Sequence, residues 1–189
     1  MAPKKNTDRV IGFGDEHYKV GVCIGNIPNM VEYQGLTKLL PLTNGEIYAI
    51  GQTCGNGWRK VFNVYAKLLH QFPETVLSGA QDFPTWQQLR DSNLLQASSQ
   101  TALLFSPPII EKNPKRIHII AGRTYANTLT QLALGSSGSN SFNFEWLTNE
   151  FAVDKAHAVV VSPYFDYRQL SNIKIDYLTD VIQQLVNDK

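Results

Sequence analysis

Arg116-Ile-His-Ile-Ile-Ala-Gly122-Arg-Thr-Tyr125 is the stretch that decides the fold. Five consecutive residues from Ile117 are apolar or β-branched apart from His118. Such a run reads as a strand buried on both faces, and the following Gly122 gives the backbone room to turn. The residues beyond change period: Tyr125, Leu129 and Leu132 recur at helical spacing, so a helix begins just after Gly122. Strand, glycine and amphipathic helix in that order make the unit from which parallel sheets are built.

Working outward, the same alternation recurs. Lys19-Val-Gly-Val-Cys-Ile-Gly25, Ile47–Ile50, Thr101–Phe105 and Ala158–Val161 are further short apolar runs, each expected as a strand. Trp58, Val61, Phe62, Tyr65, Leu68 and Leu69 form one wide apolar stripe of a helix ended by Pro73. Pro84 opens another helix with Trp86, Leu89 and Leu94 inside it, and a last one runs from about Ile173 to Val186. Ile11-Gly-Phe-Gly-Asp15 reads as a turn. The expected architecture is a three-layer α/β/α fold with a central, mainly parallel sheet of about four or five strands. Residues 1–9 read as a flexible charged tail and 10–189 as a single domain. The small-residue loop Gly135–Ser141 is too short to separate independent domains.

A chain of 189 residues with 43% hydrophobic and 17% charged residues can bury its own core. Its net charge of +1 gives no overall field toward nucleic acid or membrane. The polar start and the lack of a bilayer-length apolar run argue for a cytoplasmic protein without a membrane partner. Cys23 and Cys54 belong to no spaced ligand set, and His17, His70, His118 and His157 form no metal pair, so no metal or cofactor is expected. His118, between two isoleucines, reads as a hydrogen-bonded interior residue.

Ligands of parallel sheets bind outside the carboxyl ends of the strands, and the strand ends here are polar. Gly25-Asn-Ile-Pro-Asn29 offers the amides of Asn26 and Asn29; the alternative is a turn into a helix capped by Asn29. Gly51-Gln-Thr-Cys-Gly-Asn-Gly57 is followed by Arg59 and Lys60, a loop that can present N–H groups and charge to an anion, or simply join strand to helix. Ser162-Pro-Tyr-Phe-Asp-Tyr-Arg168 gathers Tyr164, Asp166 and Arg168, a set suited to stacking on a base and meeting phosphate. Otherwise its aromatic rings tuck into the core while Asp166 pairs with Arg168. Arg123, at the start of a helix, stands against the helix dipole and calls for a carboxylate or phosphate partner.

In their order these pieces resemble the uracil-DNA glycosylase superfamily. Val20–Gly35 resembles the motif Gly-Glu-Ala-Pro-Gly through Gly25, Pro28, Glu32 and Gly35, and Gly55–Leu69 is similar to the glycine-then-helix segment that follows it. Leu94–Phe105 resembles the strand that supplies a base-reading side chain. Pro114–Ala126 is similar to Pro-Lys-Val-Ile-Val-x-Leu-Gly-Arg-Thr-Ala, and Val159–Arg168 stands where the family carries His-Pro-Ser. The resemblance implies a bacterial-type member that binds a nucleobase, nucleotide or DNA and cleaves an N-glycosidic bond by base flipping. It makes Asn26 and Asp166 the catalytic residues, and Asn29, Arg59, Arg123, Ser162, Tyr164 and Arg168 the substrate-binding ones. Asn26 stands where the family has an acid, and Ser162 where it has histidine. An amide orients water but does not take its proton, so Asp166 is expected as general base. The other readings are a non-catalytic interaction module and a nucleotide hydrolase or transferase.

Overall fold

The computed structural model describes residues 10–111, 114–134 and 142–188. The tail expected at 1–9 and the small-residue loop expected at 135–141 lie outside the described residues. Eight strands form one mixed sheet: β1 (Gly12–Gly14), β2 (Val20–Cys23), β3 (Leu39–Leu40), β4 (Thr101–Leu104), β5 (Ile117–Ala121), β6 (Glu145–Trp146), β7 (Ala152–Asp154) and β8 (Val159–Ser162). The helices are α1 (Glu46–Cys54), α2 (Asn56–Gln71), α3 (Trp86–Ser92), α4 (Arg123–Leu134) and α5 (Asn172–Asn187).

The strand order is β3-β1-β4-β2-β5-β8-β7-β6. The four central strands β4, β2, β5 and β8 run parallel, with Val22 opposite both Leu103 and Ile119 and Ile120 opposite Val161. All four are buried along their whole length, as continuous apolar runs require when both faces are covered. The α/β class therefore stands, and the sheet is larger and more mixed than the expected four or five mainly parallel strands. The additions are strands of two or three residues at the edges. β1 pairs antiparallel with β4, and β6 and β7 continue the sheet beyond β8 in antiparallel fashion.

The segment read as a turn at 11–15 contains strand β1, which lies between β3 and β4. Its glycines are needed for close approach: a Cβ on Gly12 would stand 2.0 Å from the Leu103 carbonyl oxygen, and Gly12 sits at φ +154. The run Ile47–Ile50 is helical, not extended. Ile47, Ile50 and Gly51 bury one face of α1, and Glu46 receives the Thr43 hydroxyl at 2.7 Å as well as the Thr43 N–H, closing the turn that leads into the helix.

On one face of the sheet lie α1, α2, α3 and α5, with Phe62, Tyr65, Leu69, Phe165 and Ile182 fully buried among them. Full burial of each such side chain contributes roughly 1.5–3 kcal/mol. The Tyr65 hydroxyl sits 3.1 and 3.0 Å from the carbonyl oxygens of Val20 and Ala102, joining α2 to β2 and β4. The other face is covered by α4 alone among the described helices, through Ala126 and Leu129, helped by Tyr18. His118 is 1% exposed on this face, its Nε2 3.0 Å from the Tyr18 hydroxyl. No helix among the described residues is long and apolar enough to cross a membrane.

Candidate functional site

Numbered along the chain among themselves, the parallel strands lie in the order 2-1-3-4. The chain leaves β2 toward α1 on one face and leaves β5 into α4 on the other. The crevice outside the carboxyl ends of β2 and β5 is thus the topological switch point, where the two exits diverge. It encloses about 520 Å³.

Two glycines make its floor. Gly122 ends β5 at φ +103 and donates its N–H to Ser162 at 2.8 Å, then lets α4 start at once. Gly25 follows β2, and a Cβ there would stand 3.1 Å from the Tyr125 ring. A Cβ on Gly122 would stand 3.8 Å from the Tyr164 ring. Each glycine therefore lies beneath a tyrosine, Tyr125 from the first turn of α4 and Tyr164 from the segment after β8. The Tyr164 hydroxyl donates to the Asn26 Oδ1 at 3.3 Å. Burial pushes the Tyr125 hydroxyl up to about 12. Burial also raises Tyr164, against the lowering effect of Asn26 and with a smaller push from Asp166. Both phenols are neutral donors at neutral pH.

Arg123 closes one end. Its Nη1 donates to the Asn149 carbonyl at 2.8 Å, and its guanidinium carbon lies 4.5 Å from the Trp146 ring centroid. The partner that its position against the helix dipole called for is a carbonyl and an indole of the β6–β7 hairpin. Glu150 is the sole carboxylate lining the crevice among the described residues, and Lys174 holds its two oxygens at 2.8 and 2.7 Å.

Asn26, Arg123 and Tyr164 are the expected site residues that this crevice brings together. Ser162 is fully buried and gives its hydroxyl to the Pro163 carbonyl at 2.9 Å, beneath the site. Asn29 is exposed and outside the lining. Arg59 lines a different cleft, between α1, α2 and α3. Asp166 is buried, with Lys60 Nζ at 2.9 Å and the Arg168 guanidinium at 3.2 and 2.9 Å on its two oxygens. Hydrogen bonding from Arg168, then from Lys60, holds its carboxyl well below the usual range despite burial. A carboxylate so matched binds a proton weakly and anchors its loop. Phe165 enters the core, while Tyr167 stays exposed with Lys60 Nζ 4.9 Å from its ring centroid.

Sequence reasoning missed Tyr125, Thr128, Asn149, Glu150 and Gln169. Tyr125 and Thr128 were findable: they sit three and six residues past Gly122, on the face of α4 that its N-terminal end turns toward the strand ends. Asn149 and Glu150 ride on a hairpin of one two-residue and one three-residue strand, which leaves no period in the sequence.

Residues 11–183 match a family of unknown function, DUF6942, and the chain belongs to it. No curated protein and no solved structure matches it.

Proposed function

We propose that this DUF6942 chain binds a nucleobase, free or carried on a nucleotide or DNA, in the switch-point crevice. The observation that carries the reading is the pair of tyrosines over glycines with the Asn26 amide between the strand ends. Aromatic rings accept the face of any base, and a side-chain amide offers one donor edge and one acceptor edge to its rim. Neutral phenols add donors without adding charge. The uracil-DNA glycosylase outline supplies the same destination for three separate segments, those after β2, β5 and β8.

Binding is favoured over N-glycosidic cleavage by the state of the acids. Hydrolysis through a sugar cation calls for a carboxylate or an activated water at the reacting carbon. Glu150 is occupied by Lys174 and Asp166 by Lys60 and Arg168, and Asn26 can orient water without taking its proton.

Thermal shift and fluorescence titration with uracil, adenine, their nucleosides and single-stranded oligonucleotides test the reading. Tyr164→Ala removes one stacking surface, about 1–3 kcal/mol per base, and weakens affinity by about five- to 150-fold. A panel of oligonucleotides carrying uracil, hypoxanthine or xanthine, at equimolar protein, is expected to release no base. Release would convert the binding site into an active site; silence of every base, nucleoside and oligonucleotide in the titration would end the reading.

A further inference from the structure

The cleft between α1, α2 and α3 is larger than the crevice, about 740 Å³ against about 520 Å³, a size at which proteins take small molecules. It is built around Arg59. Lys60 at its wall is matched by Asp166, and Arg90 by Asp91 and by the Asn63 Oδ1 at 2.6 Å. Arg59 has no acid partner among the described residues, although it lines the cleft and belongs to the N-terminal end of α2, where the helix dipole disfavours a cation.

The neighbouring helix is shaped to hold that side chain. Gly51 is buried inside α1, and a Cβ there would stand 2.5 Å from the Arg59 Cγ and 3.3 Å from its Cδ. Glycine is the poorest residue for a helix interior after proline. Here its bare backbone is the surface across which the Arg59 stem lies, leaving the guanidinium to the cleft. The same cleft is lined by four amides, Asn44, Gln52, Asn56 and Gln96, and by the exposed ring of Tyr48. Asn56 is the first residue of α2, whose first turn holds no acid and has no side-chain cap.

We propose that this cleft is a second ligand site, for a phosphate group carried on a small polar body. The exposed guanidinium of Arg59, without an acid partner among the described residues, matches the oxygens of a phosphate. The amides match hydroxyl or carbonyl groups on the body that carries it. The proposal is independent of the nucleobase reading, since ribose 5-phosphate carries no base.

Isothermal titration of the full chain with ribose 5-phosphate, ribose and inorganic phosphate tests it. Ribose 5-phosphate is expected to bind more tightly than inorganic phosphate, and ribose not at all. Arg59→Gln is expected to weaken ribose 5-phosphate by about tenfold or more, the loss of a charge-assisted pair. Gly51→Ala moves the Arg59 stem and is expected to weaken it in the same direction without lowering the melting temperature. Tyr164→Ala, at a residue that lines the crevice and not this cleft, leaves it unchanged. Absence of binding at millimolar ligand, or equal affinity in Arg59→Gln and the native chain, overturns the site. Equal affinity for inorganic phosphate and ribose 5-phosphate overturns the ester as its ligand. Loss of ribose 5-phosphate binding in Tyr164→Ala places that ligand in the crevice instead and overturns the proposal as well.

Discussion

Acid should unfold this protein in two stages, and His118 sets the first. The imidazole is 1% exposed, its Nδ1 has no partner among the described residues, and its Nε2 faces the Tyr18 hydroxyl. A protonated ring would bury a second N–H with nothing to accept it. Burial, and then the nearby Arg116 charge, lower its pKa from 6.5 to about 4. The unfolded chain therefore binds a proton in a window where the folded chain does not, and stability falls as pH drops from 6.5 toward 4. At about 1.4 kcal/mol per unit the full loss is roughly 3 kcal/mol. With a urea slope of about 2 kcal/mol per molar, the unfolding midpoint should fall by about 1.5 M between neutral pH and pH 4. His118→Leu keeps an apolar group of similar size on β5 and removes the titration. Urea unfolding followed by tryptophan fluorescence across this window should show a clearly flatter pH profile in that variant. An identical acid-induced fall in both proteins would refute the argument, because the proton would then be binding elsewhere.

The second stage belongs to Asp166. Its folded carboxyl is depressed, so its contribution is present above its unfolded value and is lost as pH falls below about 4; Asp166→Asn should lower the melting temperature at neutral pH and remove that later stretch of the acid limb in a pH-scanned melt. Tyr65→Phe deletes the hydroxyl that reaches the Val20 and Ala102 carbonyls and should cost about 1 kcal/mol, read as a fall of roughly 2–4 °C in calorimetry.

The regions of the fold legible in the sequence are those where one pattern serves one purpose. Strand β5, Gly122 and α4 are written consecutively, and β2, β4, β8, α2 and α5 fall where apolar period places them. Ile47–Ile50 misleads because a four-residue apolar run has no period of its own. The deciding signal lies outside it, in Thr43 and Glu46, whose side chains close the turn before α1. Strands β1, β3, β6 and β7 are too short to alternate, and β1 is made largely of glycine, which is chosen there for approach rather than burial. The candidate site divides in the same way. Asn26, Arg123 and Tyr164 follow directly from their strand ends. Arg59 groups with them only while Gly51–Gly57 reads as a loop after a strand; once that strand is helix α1, Arg59 points into another cleft. Asp166 has the right position in the chain and the wrong neighbours for a base, and neighbours 106 residues away, as Lys60 is, leave no local trace.

One face of the sheet carries four helices and the other only α4 among those described, seated through Ala126 and Leu129. A helix seated alone on its face by two buried side chains opens more readily than the core of the sheet. Tyr125 and Arg123 travel with it, so each such excursion takes a wall away from the crevice. A base bound there as proposed would lie between Tyr125 and Tyr164 and hold α4 to the sheet, so amide exchange in that helix would slow as the crevice fills.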